Sequence, residues 1–280
     1  MIRHIMKDWP EWGLDGPMPG VSQYHLLPDG LTNRCWRLDL PHQSVVIRVS
    51  AANTRLLDID RGREYQLQQW AASHGLAPKV LYRSFADRYW VMEYVEGREA
   101  NLQSDLFPLS TRLQKLHRLT PPESLPAWQL VEKAEVYWRT LSQRLQMQWS
   151  SWAPLKQQLQ QAMDIPITDE RCICHMDPNP HNWRLTGKGW QLLDWEYATF
   201  GPRQWDLASF AQSCKLDAHQ LARWCRLHKI EPDDPAWRVA QLQFRYLAEL
   251  WFGVQGLKSD QQLEAALRQL LDDVLLQAPQ

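Results

Sequence analysis

Two long stretches of helical patterning flank a short island at residues 171–193, where apolar runs (CICHM, WRL, WQLLD) alternate with loops of Pro, Asn and Gly. An insertion of strand in an otherwise helical half restricts the fold more than any other feature of this chain. Helices on both sides must pack around it, and the side chains of its loops must emerge at one fixed place. The periodicity predicts those helices at 105–119, 131–148, 155–163, 205–213, 218–228, 235–254 and 259–276.

The first third is patterned differently. Residues 34–40 alternate and 44–49 are a β-branched run, with Pro41-His42-Gln43 as a turn between them. A helix is expected over 58–74, because Leu67, Trp70, Ala71 and His74 share one face and Gly75 stands at a C-cap position. Two further strands are expected at 79–84 and 88–95. Residues 1–20 read as an irregular arm, and Glu93-Tyr94-Val95-Glu96-Gly97 as a hinge. The expected class is α+β and bilobal. A small β-rich lobe with one helix (1–96) precedes a larger, mainly helical lobe (97–280), with ligands expected in the cleft between them.

Composition narrows the function. With 31 basic and 32 acidic residues the net charge is -1, so no one-signed field favours nucleic acid or a membrane surface. No apolar run approaches a membrane span, and Asp8, Pro10 and Glu11 interrupt any signal-peptide core. Five cysteines without a C-x-x-C pair suit a reducing cytoplasm, the expected location. Most of the sixteen tryptophans are expected in the core.

The island carries the chemistry. His175-x-Asp177-x₄-Asn182, with Asp194 at the end of the next apolar run, has the spacing of a phosphotransfer loop. Such a reaction needs a carboxylate beside the acceptor hydroxyl, which suits Asp177. It also needs hard oxygen ligands for Mg²⁺, which suits Asn182 and Asp194. The expected arrangement is a single hairpin that presents all three, with His175 holding the loop by hydrogen bonding. A turn-forming role competes for Asp177 and Asn182, which stand beside Pro178 and Pro180. A transition-metal cluster of Cys172, Cys174, His175, Asp177 and His181 is disfavoured, since alternation puts the two thiols on one face and His175 on the other.

In the first third, Arg48 is a charge inside VVIRV and needs an anion if buried. Glu64 lies three and seven residues before Leu67 and Ala71, on the inward helix face, and could pair with Arg48 and hold it against nucleotide phosphates. Gly30, Thr32 and Asn33, in the DGLTN segment, could fold over those phosphates.

GLTN, VVIRV, Glu64, GLAPKVL, VMEYVEG, LQKLHRL, HMDPNPHN, LLDWEYA and WDLASF together resemble the aminoglycoside phosphotransferase and choline kinase superfamily, small-molecule relatives of protein kinases. The resemblance implies a protein-kinase-like fold with ATP and Mg²⁺ as cofactors, and Arg48 in place of the usual phosphate-binding Lys. It makes Glu64 the helix partner of Arg48, Met92-Glu93-Tyr94 the adenine hinge and Asp206 a structural acid. Two departures stand out: His181 replaces the usual Gly before the Asn, and the phosphate loop is poor in glycine. The motif resembles bacterial thiamine kinases and choline kinase-like proteins most, which implies a cationic alcohol as partner: thiamine first, then choline or ethanolamine, with aminoglycosides less favoured. A quaternary cation wants aromatic faces and a carboxylate. Trp195, Glu196, Tyr197, Glu249 and Phe252 are the candidates, with Tyr246 and Trp251 nearby. A monomer or a homodimer is expected. The alternative of another class is a catalytically silent nucleotide-binding protein.

Overall fold

The alternating residues and the β-branched run form the expected hairpin. In the computed structural model, which describes residues 1–28, 33–51, 54–123, 125, 129–167, 170–231 and 233–277, β2 (Asn33–Asp39) pairs antiparallel with β3 (Ser44–Ser50), Asp39 facing Ser44 across the turn. The sheet is completed by β1 (Tyr24–Leu26), β4 (Val80–Arg83) and β5 (Tyr89–Glu93) in the order β1-β2-β3-β5-β4.

Period-two alternation gives this sheet two unlike faces. Leu38, Val45, Ile47, Tyr89 and Val91 point one way and form a buried cluster with Ile5, Met6, Trp9 and Trp12. Arg48, Trp90 and Met92 occupy the alternate positions. The N-terminal arm is therefore ordered, as α1 (Ile2–Ile5) and a 3₁₀ turn (Met6–Glu11). Three residues per 3₁₀ turn put Trp9 and Trp12 on one side, and that side is apolar. Polar bonds fix the arm too. Tyr89 Oη donates to Asp8 at 2.6 Å and accepts from Trp12 Nε1 at 3.2 Å, and Tyr82 Oη donates to Glu11 at 2.8 Å.

Helix α2 (Arg61–Ser73) starts three residues later than its apolar pattern suggests, because Asp58 adopts a left-handed φ of 52° that no helix accommodates. Asp60 caps it by accepting from the Gly62 and Arg63 amides. Gly75, with φ 67°, lies just beyond its end as expected.

The island divides. β8 (Trp183–Thr186) and β9 (Gly189–Leu192) form a tight hairpin, and β6 (Arg98–Glu99) adds to its edge. Gly97 precedes that edge where an added Cβ would lie 2.2 Å from the Leu185 carbonyl oxygen, so only glycine fits. β7 (Arg171–Cys174) pairs instead with β10 (Thr199–Pro202), a strand that periodicity did not reveal. The expectation of one hairpin presenting Asp177, Asn182 and Asp194 is therefore corrected. Two prolines and a 3₁₀ turn at Pro180–Asn182 make the connection after β7 too irregular for a hairpin turn.

Two compact units result: Met1–Thr54, Asp60–Ala100 and His181–Glu196 in the first, Arg55–Ile59, Asn101–Pro180 and Tyr197–Gln280 in the second. The first holds the five-stranded sheet and the β6-β8-β9 sheet, while the β7–β10 pair lies in the second. The second holds α3 (Leu102–His117), α4 (Leu130–Arg144), α5 (Trp149–Met163), α6 (Gln204–Ser213), α7 (Ala218–His228), α8 (Pro235–Val254) and α9 (Asp260–Gln277). All seven predicted helices are present, but α4 ends four residues before its predicted end and α5 begins six before its predicted start, with a 3₁₀ turn at Gln146–Gln148 between them. Asn101, Asp217 and Asp234 cap three of them, and Pro235 follows its cap at the first helical position. α8 packs against α4, α6 and α9. Trp138, Trp152, Trp224, Phe210 and Tyr246 fill the interior, the Phe210 and Trp224 rings stacking at 4.0 Å. Among the described residues all five cysteines are free thiols, and no helix is long and apolar enough to cross a membrane.

Candidate active site

In the first unit the charge inside VVIRV lies on a central strand and is buried. Arg48 does not reach solvent. Its guanidinium bonds to Glu64 of α2, and its Nη2 donates to Asp194 at 2.7 Å and to Glu196 at 3.0 Å. The Trp90 ring lies 5.6 Å from the guanidinium carbon. Burial alone would discourage the charge, but Glu64, Asp194 and Glu196 outweigh it and raise the Arg48 pKa above its already high value. Arg48 is permanently cationic.

A second arginine joins the group. Arg61, the first residue of α2, donates to Glu64, to Glu196 at 3.1 Å and to Asn33 Oδ1 at 3.0 Å. Asn33 in turn donates to Glu196 at 2.9 Å. Arg61 was not expected here, although its place three residues before Glu64 is a helix-neighbour spacing that carries the signal. Of the expected phosphate-loop residues, Asn33 joins this cluster, while Gly30 and Thr32 lie outside the described residues.

The β8–β9 hairpin brings the expected magnesium ligands to one end. The Leu193 amide donates to the Asn182 carbonyl at 2.8 Å, just beyond the Trp183 and Leu192 pair, and Asp194 follows directly. Asp194 has a left-handed φ of 64°, a conformation that costs energy outside glycine and turns the chain sharply there. The donors are hard oxygens, and carboxylate oxygens of Glu64, Asp194 and Glu196 lie within 4.8 Å of one another. That set fits Mg²⁺ and not a soft metal.

Met92 is buried with Val80 and Trp90. Glu93 brackets Lys79, donating from its amide to the Lys79 carbonyl and accepting from the Lys79 amide, both at 3.0 Å. The Tyr94 amide donates to Ser44, and Arg37 lies 4.3 Å from the Tyr94 ring. The strand thus ends in a fixed geometry.

In the second unit the loop after β7 is held from below. Asp206 of α6 accepts from the His175 amide at 2.9 Å, the Met176 amide at 2.6 Å and His117 Nε2 at 2.9 Å. Ser209 Oγ donates to the Met176 carbonyl at 2.8 Å. These bonds trap Met176 at φ 68° and reverse the chain just before Asp177. His175 is buried, and its Nδ1 accepts from the Asp177 amide at 3.3 Å. Asp177 Oδ1 accepts from Asn179 at 2.8 Å. Cys214 lies near enough that burial, helped by the Asp177 charge, pushes its thiol up to about 12.

Cys172 and Cys174 share a face, as alternation requires, with their sulfurs 3.9 Å apart and His117 beside them. Burial, and the neighbouring Cys172, hold the Cys174 thiol well above its usual range, so Cys174 stays a neutral thiol of the core.

The expected acceptor residues separate. Trp195 is wholly buried, its Nε1 donating to the Leu192 carbonyl at 2.9 Å, and Glu196 is bonded into the arginine cluster. Both sets of bonds lie within the first unit. Tyr197, Glu249 and Phe252 belong to the second unit. Tyr197 Oη accepts from Trp251 Nε1 at 2.7 Å, Glu249 pairs with Lys258, and the Lys258 ammonium lies 5.5 Å from the Phe252 ring centre. Tyr246 is core, bonded to Trp138.

The sequence profile of the phosphotransferase enzyme family matches residues 23–242. Among curated proteins none matches the sequence. In fold the chain is similar to the choline kinase LicA from Streptococcus pneumoniae (TM-score 0.74, 15% identity, covering 98% of this chain and 99% of that one). It is also similar to a choline/ethanolamine kinase family protein from Mesorhizobium loti (TM-score 0.65, 20% identity, covering 99% and 95%). A thermostable mutant of the aminoglycoside phosphotransferase APH(4)-Ia is similar as well (TM-score 0.69, 16% identity, covering 99% of each chain). The match spans most of the chain and both sets of motifs, and on that ground the chain belongs to the phosphotransferase enzyme family, with the protein-kinase-like α+β fold of choline kinases and aminoglycoside phosphotransferases.

Proposed function

We propose that this phosphotransferase uses ATP and Mg²⁺ to phosphorylate the hydroxyl of a small cationic alcohol in the cytoplasm, thiamine foremost and choline or ethanolamine next. The observation that carries the reading is the buried Arg48, held by Glu64 on one side and touching Asp194 on the other. A buried cation with three acidic partners is costly to maintain for stability alone. It gains a purpose when an anionic ligand shares it.

Each residue then has a task. Arg48 binds phosphate oxygens, and Glu64 fixes its direction. Asn33 borders the phosphates, and Met92, Glu93 and Tyr94 line the adenine. Asp177 accepts a hydrogen bond from the acceptor hydroxyl, aligns it, and takes its proton as the new bond forms. His175 keeps the Asp177 backbone in place. Asn182 and Asp194 hold Mg²⁺, which when bound neutralises charge building on the phosphates. Tyr197, Glu249 and Phe252 face the acceptor's cation. The Lys258 ammonium, seated against Glu249 and Phe252, supports this last assignment, because it shows that the pair stabilises positive charge.

Purified protein should release ADP in the presence of Mg²⁺ and thiamine, with choline and ethanolamine as slower acceptors. Nucleotide binding without turnover on these three or on an aminoglycoside would remove the kinase reading.

A further inference from the structure

Arg61 has a donor to spare. Its side chain is only 9% exposed, and its Nη atoms bond to Glu64, Glu196 and Asn33. Its Nε is fully buried and has no hydrogen-bond partner among the described residues. A guanidinium carries five N–H donors in a rigid plane, so fixing its Nη atoms also fixes where Nε–H points. Leaving a charged donor buried and unsatisfied is costly, and such a group in a native fold calls for an acceptor.

The surroundings define that acceptor. Three carboxylates (Glu64, Asp194 and Glu196) meet two guanidiniums (Arg48 and Arg61), so one negative charge is in excess. With Arg48 alone the excess would be two, a poor setting for a polyphosphate. Arg61 also grips Asn33, which is itself expected to border the phosphates. It therefore links α2, the start of β2 and the turn after β9.

We infer that Arg61 is a second phosphate-binding residue of the nucleotide site, its Nε–H donating to a nucleotide phosphate oxygen while its Nη atoms hold Glu64, Glu196 and Asn33. The inference rests on the nucleotide reading above and assigns it a ligand that the phosphotransfer motifs do not include. A charge-assisted hydrogen bond of this kind is worth about tenfold or more in affinity.

Calorimetric titration of the full chain in Mg²⁺ with AMP-PNP, ADP and adenosine tests it. In Arg61→Met, AMP-PNP should bind at least about tenfold more weakly, ADP should weaken less, and adenosine should bind as to wild type. Arg61→Lys keeps a cation for Glu64 and Glu196 but lacks the Nε–H. It covers the case in which the methionine variant does not fold, and it should also lose AMP-PNP affinity. Unchanged AMP-PNP affinity in a folded variant overturns the assignment, as does an equal loss for all three ligands, which would mark Arg61 as merely structural. If wild type binds AMP-PNP and the variants match it, the nucleotide reading stands and only Arg61 falls. If wild type binds none of the three, both fall together.

Discussion

In the first unit, two guanidiniums and three carboxylates share one buried patch. In the second, a single carboxylate, Asp206, is engaged by two backbone amides and a histidine. The first patch joins side chains that could trade partners: under the proposed function Arg48 would leave Asp194 for a phosphate, and Asp194 would leave Arg48 for a metal ion. The second joins a side chain to the main chain, and the main chain has nowhere else to go. One patch is built for exchange and the other for permanence. The proposed transfer reaction would use both, because its donor changes charge during turnover while the base beside its acceptor must not move.

The comparison can be broken most decisively at Asp177, which the permanent patch positions. Asp177→Ala should lower kcat by about 10³-fold or more while the melting temperature stays near that of wild type. A folded variant that still turns over at a comparable rate would detach the reaction from this loop.

Arg48→Met comes next. It leaves Arg61 as the single cation facing Glu64, Asp194 and Glu196, and should cost about 3–5 kcal/mol of stability in denaturant unfolding. High Mg²⁺ should restore part of that loss if the patch is exchangeable. Asp206→Asn should cost less, about 1–3 kcal/mol, because the amide keeps one acceptor oxygen for three donors. No metal ion should recover it. Equal rescue of the two variants by Mg²⁺ would erase the distinction between the patches.

Acid should act on the second unit through His228. Burial, with the charges of His117 and Arg203 nearby, lowers its pKa from 6.5 to about 3. The unfolded chain takes up this proton below about pH 6.5, whereas the folded chain resists until about pH 3. Its contribution is therefore complete above pH 6.5 and is lost as pH falls toward 3, at up to about 1.4 kcal/mol per pH unit. His228→Phe, which keeps a ring against Trp224, should flatten the acid limb of stability by that amount. An unchanged slope would assign the limb to other groups.

The smallest effect is expected at His181. It is 84% exposed and pairs with Glu99 at 3.2 Å across a solvated edge. His181→Gly should change stability by about 0.5 kcal/mol or less and leave kcat near wild type, despite its place directly before Asn182. A large loss in kcat would mean that this position shapes the loop.

The parts of the fold that periodicity revealed are those whose cause is local. The seven helices and the β2–β3 hairpin follow from caps, turns and apolar spacing within a few residues. The partner of β7 did not show, because β10 (Thr199–Pro202, TFGP) is four residues long, without alternation, and is a strand only because β7 lies beside it. The ordered arm escaped for a similar reason, since Trp9 and Trp12 acquire meaning from Tyr89 and Ile47. At the site, the Arg48 and Glu64 pairing could be read from a charge in a β-branched run and a matching helix face. The burial of Trp195 and the bonds of Glu196 to Arg48 and Arg61 were not legible, because adjacency to Tyr197 in sequence says nothing of which partners each side chain meets.

The packing of the arm against the sheet has a consequence for control. Ile5, Met6, Trp9 and Trp12 cover the side of the sheet opposite Arg48, so any protein seeking a hold on the rear of β3 and β5 must first peel the arm away. Removing residues 1–12 would bare a strip of Val45, Ile47 and Val91, and the shortened chain should elute as larger species in size-exclusion chromatography than the chain that keeps its arm.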